Sequence, residues 1–153
     1  MDFEPLRAQL TSSTKLILGD VRETLPGFLG TKHSPVGFVS LDVDLYSASQ
    51  DALLLFREQN PLGNCLPRVA FYADDIMATT MSPLTGERLA IQEFNDAHRQ
   101  CRCISPVFGL RYDLDWPHSQ WRWPDMVFWA HFLDHPRYGE HDGLRPRMQA
   151  LPL

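Results

Sequence analysis

Two apolar runs in this chain each end in a cluster of carboxylates, and that pattern limits the available folds more than any other feature. Val36, Phe38, Val39 and Leu41 lead into Asp42-Val43-Asp44-Leu45-Tyr46, and Val69, Ala70, Phe71 and Tyr72 lead into Asp74-Asp75-Ile76. Short apolar runs bounded by turn formers read as strands buried in a sheet. Acidic residues directly after them lie where a strand emerges, which is where open α/β sheets gather their ligands. Like charges collected at one sheet edge repel unless a proton, water or a cation offsets them, and hard oxygen donors favour Mg²⁺, Ca²⁺ or Mn²⁺ over zinc. The pattern predicts one divalent-metal site built from Asp42, Asp74 and Asp75.

The rest of the chain alternates between helix and strand signals. Phe3, Leu6 and Leu10 suggest a short leading helix; residues 14–18 read as a strand ending at Gly19-Asp20, and residues 21–29 as a turn or short helix. Pro35 opens the strand before Asp42. Ser47 or Ser49 is placed to cap a helix carrying Ala52, Leu53, Leu54, Leu55 and Phe56, with Asn60-Pro61-Leu62-Gly63 as its stop. After Ile76, a loop with Met77, Thr79, Thr80, Met81 and Pro83 reads as a lid, and a helix over residues 87–99 sets Ala90, Phe94 and Ala97 on one face. Strands are expected near residues 104–110 and 126–132, joined by a Trp- and Pro-rich stretch. This order predicts an α/β, Rossmann-like, mostly parallel sheet with flanking helices in residues 1–135, followed by an irregular tail, 136–153.

Composition narrows the class further. At 153 residues the chain is one domain or part of one, with no apolar run long enough to cross a membrane. A net charge of -5 argues against a general nucleic-acid surface. Cys65, Cys101 and Cys103 form an odd set, and Met1-Asp2-Phe3-Glu4 does not start a signal peptide, so a cytoplasmic protein with free thiols is expected. A nucleotide-type fold normally opens with a strand and a glycine-rich loop, yet no glycine precedes Lys15, and Gly27-Phe28-Leu29-Gly30 follows the wrong kind of element. The expected sheet therefore lacks the first strand and the glycine-rich loop of that fold.

In order, Leu16-Ile17-Leu18-Gly19-Asp20-Val21-Arg22-Glu23-Thr24-Leu25-Pro26, Asp42-Val43-Asp44-Leu45-Tyr46-Ser47 and Asp74-Asp75 resemble the second half of metal-dependent class I S-adenosylmethionine O-methyltransferases. The likeness is nearest to macrocin O-methyltransferase-like enzymes and more distant to catechol O-methyltransferase, and it covers roughly residues 15–99. The resemblance implies that Asp42, Asp74 and Asp75 hold Mg²⁺ or another hard divalent cation. It also implies that Asp42 acts at the catalytic centre, and that Gly19, Val21, Arg22 and Asp42 lie against S-adenosylmethionine. The acceptor would be a small-molecule hydroxyl, with a sugar suggested by the likeness to macrocin-type enzymes. Val21 and Arg22 are not the polar residues that catechol-type enzymes use there. The chain is then the C-terminal part of a longer enzyme, working with a missing N-terminal half or as a homo-oligomer, or else a shortened relative.

Other readings stay open beside it. A truncated Rossmann-like domain without turnover would act as a binding or interaction module. An Asp-x-Asp glycosyltransferase would use Asp42 and Asp44 and leave Asp74-Asp75 incidental. A haloacid-dehalogenase-type phosphatase fits poorly, because Lys15 and Lys32 both precede the acidic motifs. Asp44 is either a residue supporting the metal site or a helix cap. Strand-end aspartates also serve as simple turn formers. Trp116, Trp121, Trp123 and Trp129 read as core or subunit-interface residues before an acceptor pocket; His131, His135, Cys101 and Cys103 read as structural before metal-binding or redox.

Overall fold

The computed structural model describes residues 3–57, 61–77 and 82–140. In chain order these form α1 (Glu4–Gln9), α2 (Val21–Leu29), β1 (Val36–Leu41), α3 (Tyr46–Ala52), α4 (Leu54–Arg57), α5 (Pro61–Asn64), β2 (Cys65–Ala73), α6 (Gly86–Ala97), β3 (Arg102–Pro106) and β4 (Val127–Phe132). A 3-10 turn, Asp75–Met77, follows β2, and three more, Leu110–Asp113, His118–Gln120 and Trp123–Met126, connect β3 to β4.

The sheet runs β1-β2-β4-β3. Only β1 and β2 pair in parallel; β4 lies antiparallel to both β2 and β3. The expectation of a mostly parallel sheet is corrected to a mixed one, and the connections explain why. A helix carries the chain from β2 to β3, which leaves β3 pointing the same way as β2 with one strand's width between them. The segment from residue 107 to 126 holds only 3-10 turns, so the chain comes back in the opposite direction and fills that gap as β4.

Alternation along the strands shows which face is buried. Val69, Phe71 and Ala73 of β2, Ile104 of β3, and Phe128, Ala130 and Phe132 of β4 are buried together with Leu53, Phe56, Ala90, Ile91 and Phe94 from the helices. Phe56 is the hub, its ring meeting those of Phe71, Phe94 and Phe132 at centroid distances of 6.0, 6.2 and 5.4 Å. Arg102 anchors the rim of this core, donating to the Phe56 carbonyl at 2.8 Å and pairing with Asp134 at 2.9 Å. The other sheet face is open among the described residues: Phe38 is 63% and Trp129 39% exposed.

Several local expectations shift. Residues 14–18 lie outside the sheet, with Ile17 and Leu18 exposed, because no described strand flanks β1 on that side to pair with them. Asp20 caps α2, its carboxylate accepting from the Arg22 N–H at 2.8 Å. Neither Ser47 nor Ser49 caps α3: Leu45 is the N-cap, and buried Ser49 donates back to the Leu45 carbonyl at 3.0 Å. The apolar run after it splits at Leu53 into α3 and α4. Trp116 and Trp121 are exposed rather than in the core. The tail begins ordered, since the Tyr138 hydroxyl is 2.9 Å from His131 Nδ1 and Arg68 stacks on its ring. The lid expectation at Thr79, Thr80 and Met81, the stop at Asn60 and the tail beyond residue 140 lie outside the described residues.

Replacing Phe56 with alanine removes the hub and leaves a cavity among three other rings. We expect a loss of about 3–5 kcal/mol, read as a lower urea midpoint at unchanged m-value; a midpoint close to that of the wild type would contradict this account of the core.

Candidate functional site: an acidic cluster at two strand ends

Parallel pairing brings the two carboxylate clusters together. Leu41 stands opposite Ala73 in the ladder, so the next residues, Asp42 and Asp74, emerge side by side from strands that sheets space about 4.8 Å apart. One more backbone bond, from the Asp74 N–H to the Leu41 carbonyl at 3.0 Å, ties the two ends beyond the last paired residues. Asp42, Asp44 and Asp74 are exposed and Asp75 is half-buried at the start of the 3-10 turn.

Each carboxyl has a distinct environment. Asp74 Oδ1 accepts from the Tyr72 hydroxyl at 2.8 Å, and this bond is the main cause of the raised Tyr72 pKa. Burial first, and then the neighbouring Asp44 carboxyl, push the Asp75 pKa up, with Asp74 and Asp42 adding repulsion. Asp75 Oδ2 is buried without a hydrogen-bond donor. A half-buried Asp75 carboxyl repelled by neighbouring carboxylates is relieved by a proton or a cation.

A fifth carboxyl completes the cluster, and sequence reasoning missed it. Glu87 is fully buried. Its Oε2 accepts from the Asp75 N–H at 3.1 Å, the Val43 backbone amide also favours the charged form of this carboxyl, and its Oε1 is buried without a partner among the described residues. Burial drives its pKa from 4.5 to about 7, against the pull of those two amides. The signal was present: Glu87, Ala90, Ile91 and Phe94 share one helical stripe, so an acid stands where the period demands an inward-facing residue. Gly86 opens α6 with φ +54, a conformation that favours glycine, and so delivers Glu87 inward one residue later.

The donor set suits a hard cation by its chemistry: carboxylate oxygens only, two of them, Asp75 Oδ2 and Glu87 Oε1, buried and unpartnered among the described residues. No group of three or more His, Cys, Asp or Glu side chains is gathered around an ion position among the described residues. Asp42, Asp74 and Asp75 are therefore adjacent at one edge without being closed on a point, and closure requires side-chain rotation, which exposed Asp42 permits at little cost.

Gly19, Val21 and Arg22 stand on a different element, the N-terminus of α2. Gly19 has φ +134, and a Cβ there would meet Thr24 Cγ2 at 3.0 Å, so the turn is built for glycine. The Arg22 N–H is already taken by Asp20. Beside the acidic turn lies a cavity of about 540 Å³ lined by Ile76, Met77, Arg88, Ile91, Ile104 and Phe128 among others. A volume of this size takes a small molecule.

His131 and His135 do not form a pair of ligands. The His131 ring is engaged by Tyr138, and buried His135 accepts from the Arg137 N–H at 3.0 Å. Cys65, Cys101 and Cys103 are free thiols, with burial raising the Cys65 pKa to about 11. No helix among the described residues is long and apolar enough to cross a membrane.

No protein-family model, curated protein or solved structure matches this chain.

The Glu87 shift has a definite sign. In the unfolded chain the carboxyl ionises near 4.5, while in the folded one it keeps its proton to about 7, so its contribution to stability falls as pH rises between those values. In chelator-containing buffer, Glu87→Gln should match the wild type near pH 4.5 and exceed it above pH 7 by up to about 3 kcal/mol. Urea midpoints across that range check this; parallel curves for the two proteins would refute it.

Proposed function

We propose that the chain is a metal-dependent S-adenosylmethionine O-methyltransferase, or the C-terminal part of one, that transfers a methyl group to a hydroxyl of a small molecule, with a sugar as one candidate acceptor. The observation that carries this reading is the adjacency of Asp42 with Asp74-Asp75 at the ends of two parallel strands. The crowding of Asp75 against Asp44, with Asp75 Oδ2 buried and unpartnered, adds to it.

Asp42, Asp74 and Asp75 are the residues that would hold the ion, which supplies a Lewis acid for the acceptor hydroxyl. The chain's own groups set the surroundings. Tyr72 orients the Asp74 carboxylate through Oδ1 and leaves Oδ2 for other partners. Burial and the neighbouring Asp44 carboxyl disfavour a bare charge on Asp75, which a bound cation would offset. The cavity beside Ile76 offers an apolar wall to an acceptor one residue from Asp75, with Arg88 on its lining. Gly19, Val21 and Arg22 are the proposed contacts to S-adenosylmethionine, on the strength of the resemblance.

One observation favours a second reading. The face with Phe38 and Trp129, uncovered among the described residues, and the edge of β1, which no described strand pairs, suit a domain that docks against further protein and has no turnover of its own.

Calorimetric titration separates these readings. Mg²⁺ binding by the wild type should weaken about tenfold or more in Asp42→Ala and in Asp75→Ala, since each removes one hard oxygen ligand. Equal affinity in all three proteins would defeat the metal site. Loss in Asp42→Ala with none in Asp75→Ala would favour an Asp-x-Asp glycosyltransferase. Metal binding without any binding of S-adenosylmethionine would favour the docking domain.

A further inference from the structure

We infer that Glu87 is a positioning residue, the buried tie that sets the distance between the two acidic turns. The inference rests on the metal reading for its purpose, and on geometry alone for the tie itself. The strand ladder ends with the Asp74 N–H on the Leu41 carbonyl. Further out, the Glu87 carboxyl takes over: it accepts from the N–H of Asp75, one residue beyond the last ladder bond on the β2 side, and faces the backbone amide of Val43, two residues beyond it on the β1 side. Val43 sits between Asp42 and Asp44, and Asp75 follows Asp74, so each grip falls next to a candidate ligand. A single side chain from α6 thereby couples both turns to the helix.

Packing alone does not account for an acid in this place. Its stripe neighbours Ala90, Ile91 and Phe94 are apolar and buried, and a methionine would fill the same volume with no cost of burying a charge. What a methionine lacks is an acceptor for two amide hydrogens. Oε1, buried and without a partner, shows that the site tolerates an incompletely satisfied carboxyl in order to keep the other oxygen where it is.

Two variants and two measurements test this. Glu87→Gln keeps an oxygen acceptor at the same reach; Glu87→Met removes it at similar volume. With Mn²⁺ as the probe, Glu87→Met should bind about 10–100-fold more weakly than the wild type, and Glu87→Gln within about threefold of it. Wild-type affinity in a folded Glu87→Met would overturn the inference. Amide hydrogen exchange reads the tie without any metal. The Val43 and Asp75 amides should be protected in the wild type and in Glu87→Gln, and exchange faster in Glu87→Met while the amides of β2 and β4 do not change. If the wild type binds no Mn²⁺, the metal reading fails by itself and exchange at these two amides still decides the tie. Should Glu87→Met not fold, protection of both amides in the wild type and in Glu87→Gln supports the tie; their free exchange in the folded wild type overturns it.

Discussion

Parallel pairing of β1 with β2 is the constraint from which the rest of this molecule follows. It sets Leu41 opposite Ala73, and with them two acidic turns that repel each other. Any arrangement with β1 antiparallel to β2 would send Asp42 and Asp74 to opposite ends of the sheet and remove the conflict. The chain instead concentrates Asp42, Asp44, Asp74, Asp75 and Glu87 at one edge, where burial first and mutual repulsion second raise the pKa of Asp75 and Glu87. Strain of this kind, held in place by a well-packed core, is where proteins keep their functional groups.

The core is able to hold it because helices α3, α4 and α6 share one face of the sheet around Phe56. Tyr46 and Gln50 of α3 both donate to Glu93 Oε2 of α6 at 2.6 Å, locking the two helices that flank the acidic edge. Since α6 also carries Glu87, the position of the acidic turns is linked to helix packing well away from them. The open opposite face has no such support among the described residues, and its exposed Phe38 and Trp129 point to surface that is usable for contact with protein.

Much of this was legible beforehand, and the reasons differ by element. β1, β2 and β4 announce themselves by apolar runs with a turn former at the end, and α6 by an apolar stripe of helical period. The mixed sheet was not legible, because strand direction depends on how a connection closes in space, and the aromatic stretch between β3 and β4 carries no helical period to signal its path. Residues 14–18 have the composition of a strand, but a strand exists only where a neighbour supplies its hydrogen bonds. The strand ends that carry Asp42 and Asp74 stand side by side, as their places after successive apolar runs suggest, but no three acidic side chains gather on one point there among the described residues. Glu87 was passed over because an acid in the first turn of a helix is ordinarily explained by the helix dipole.

By itself, the sequence determined where most of the helices and strands fall and which of their faces are apolar, since periodicity and turn chemistry are local properties. It also determined that carboxylates would end two of the strands, and hence that any ion drawn there would be a hard one. Tertiary structure alone decided the order and direction of the strands, the burial of Glu87 against the Val43 and Asp75 amides, and which carboxyls lose water. Those depend on distances between residues far apart in the chain, and desolvation is a property of the assembled surroundings that no local run of residues contains.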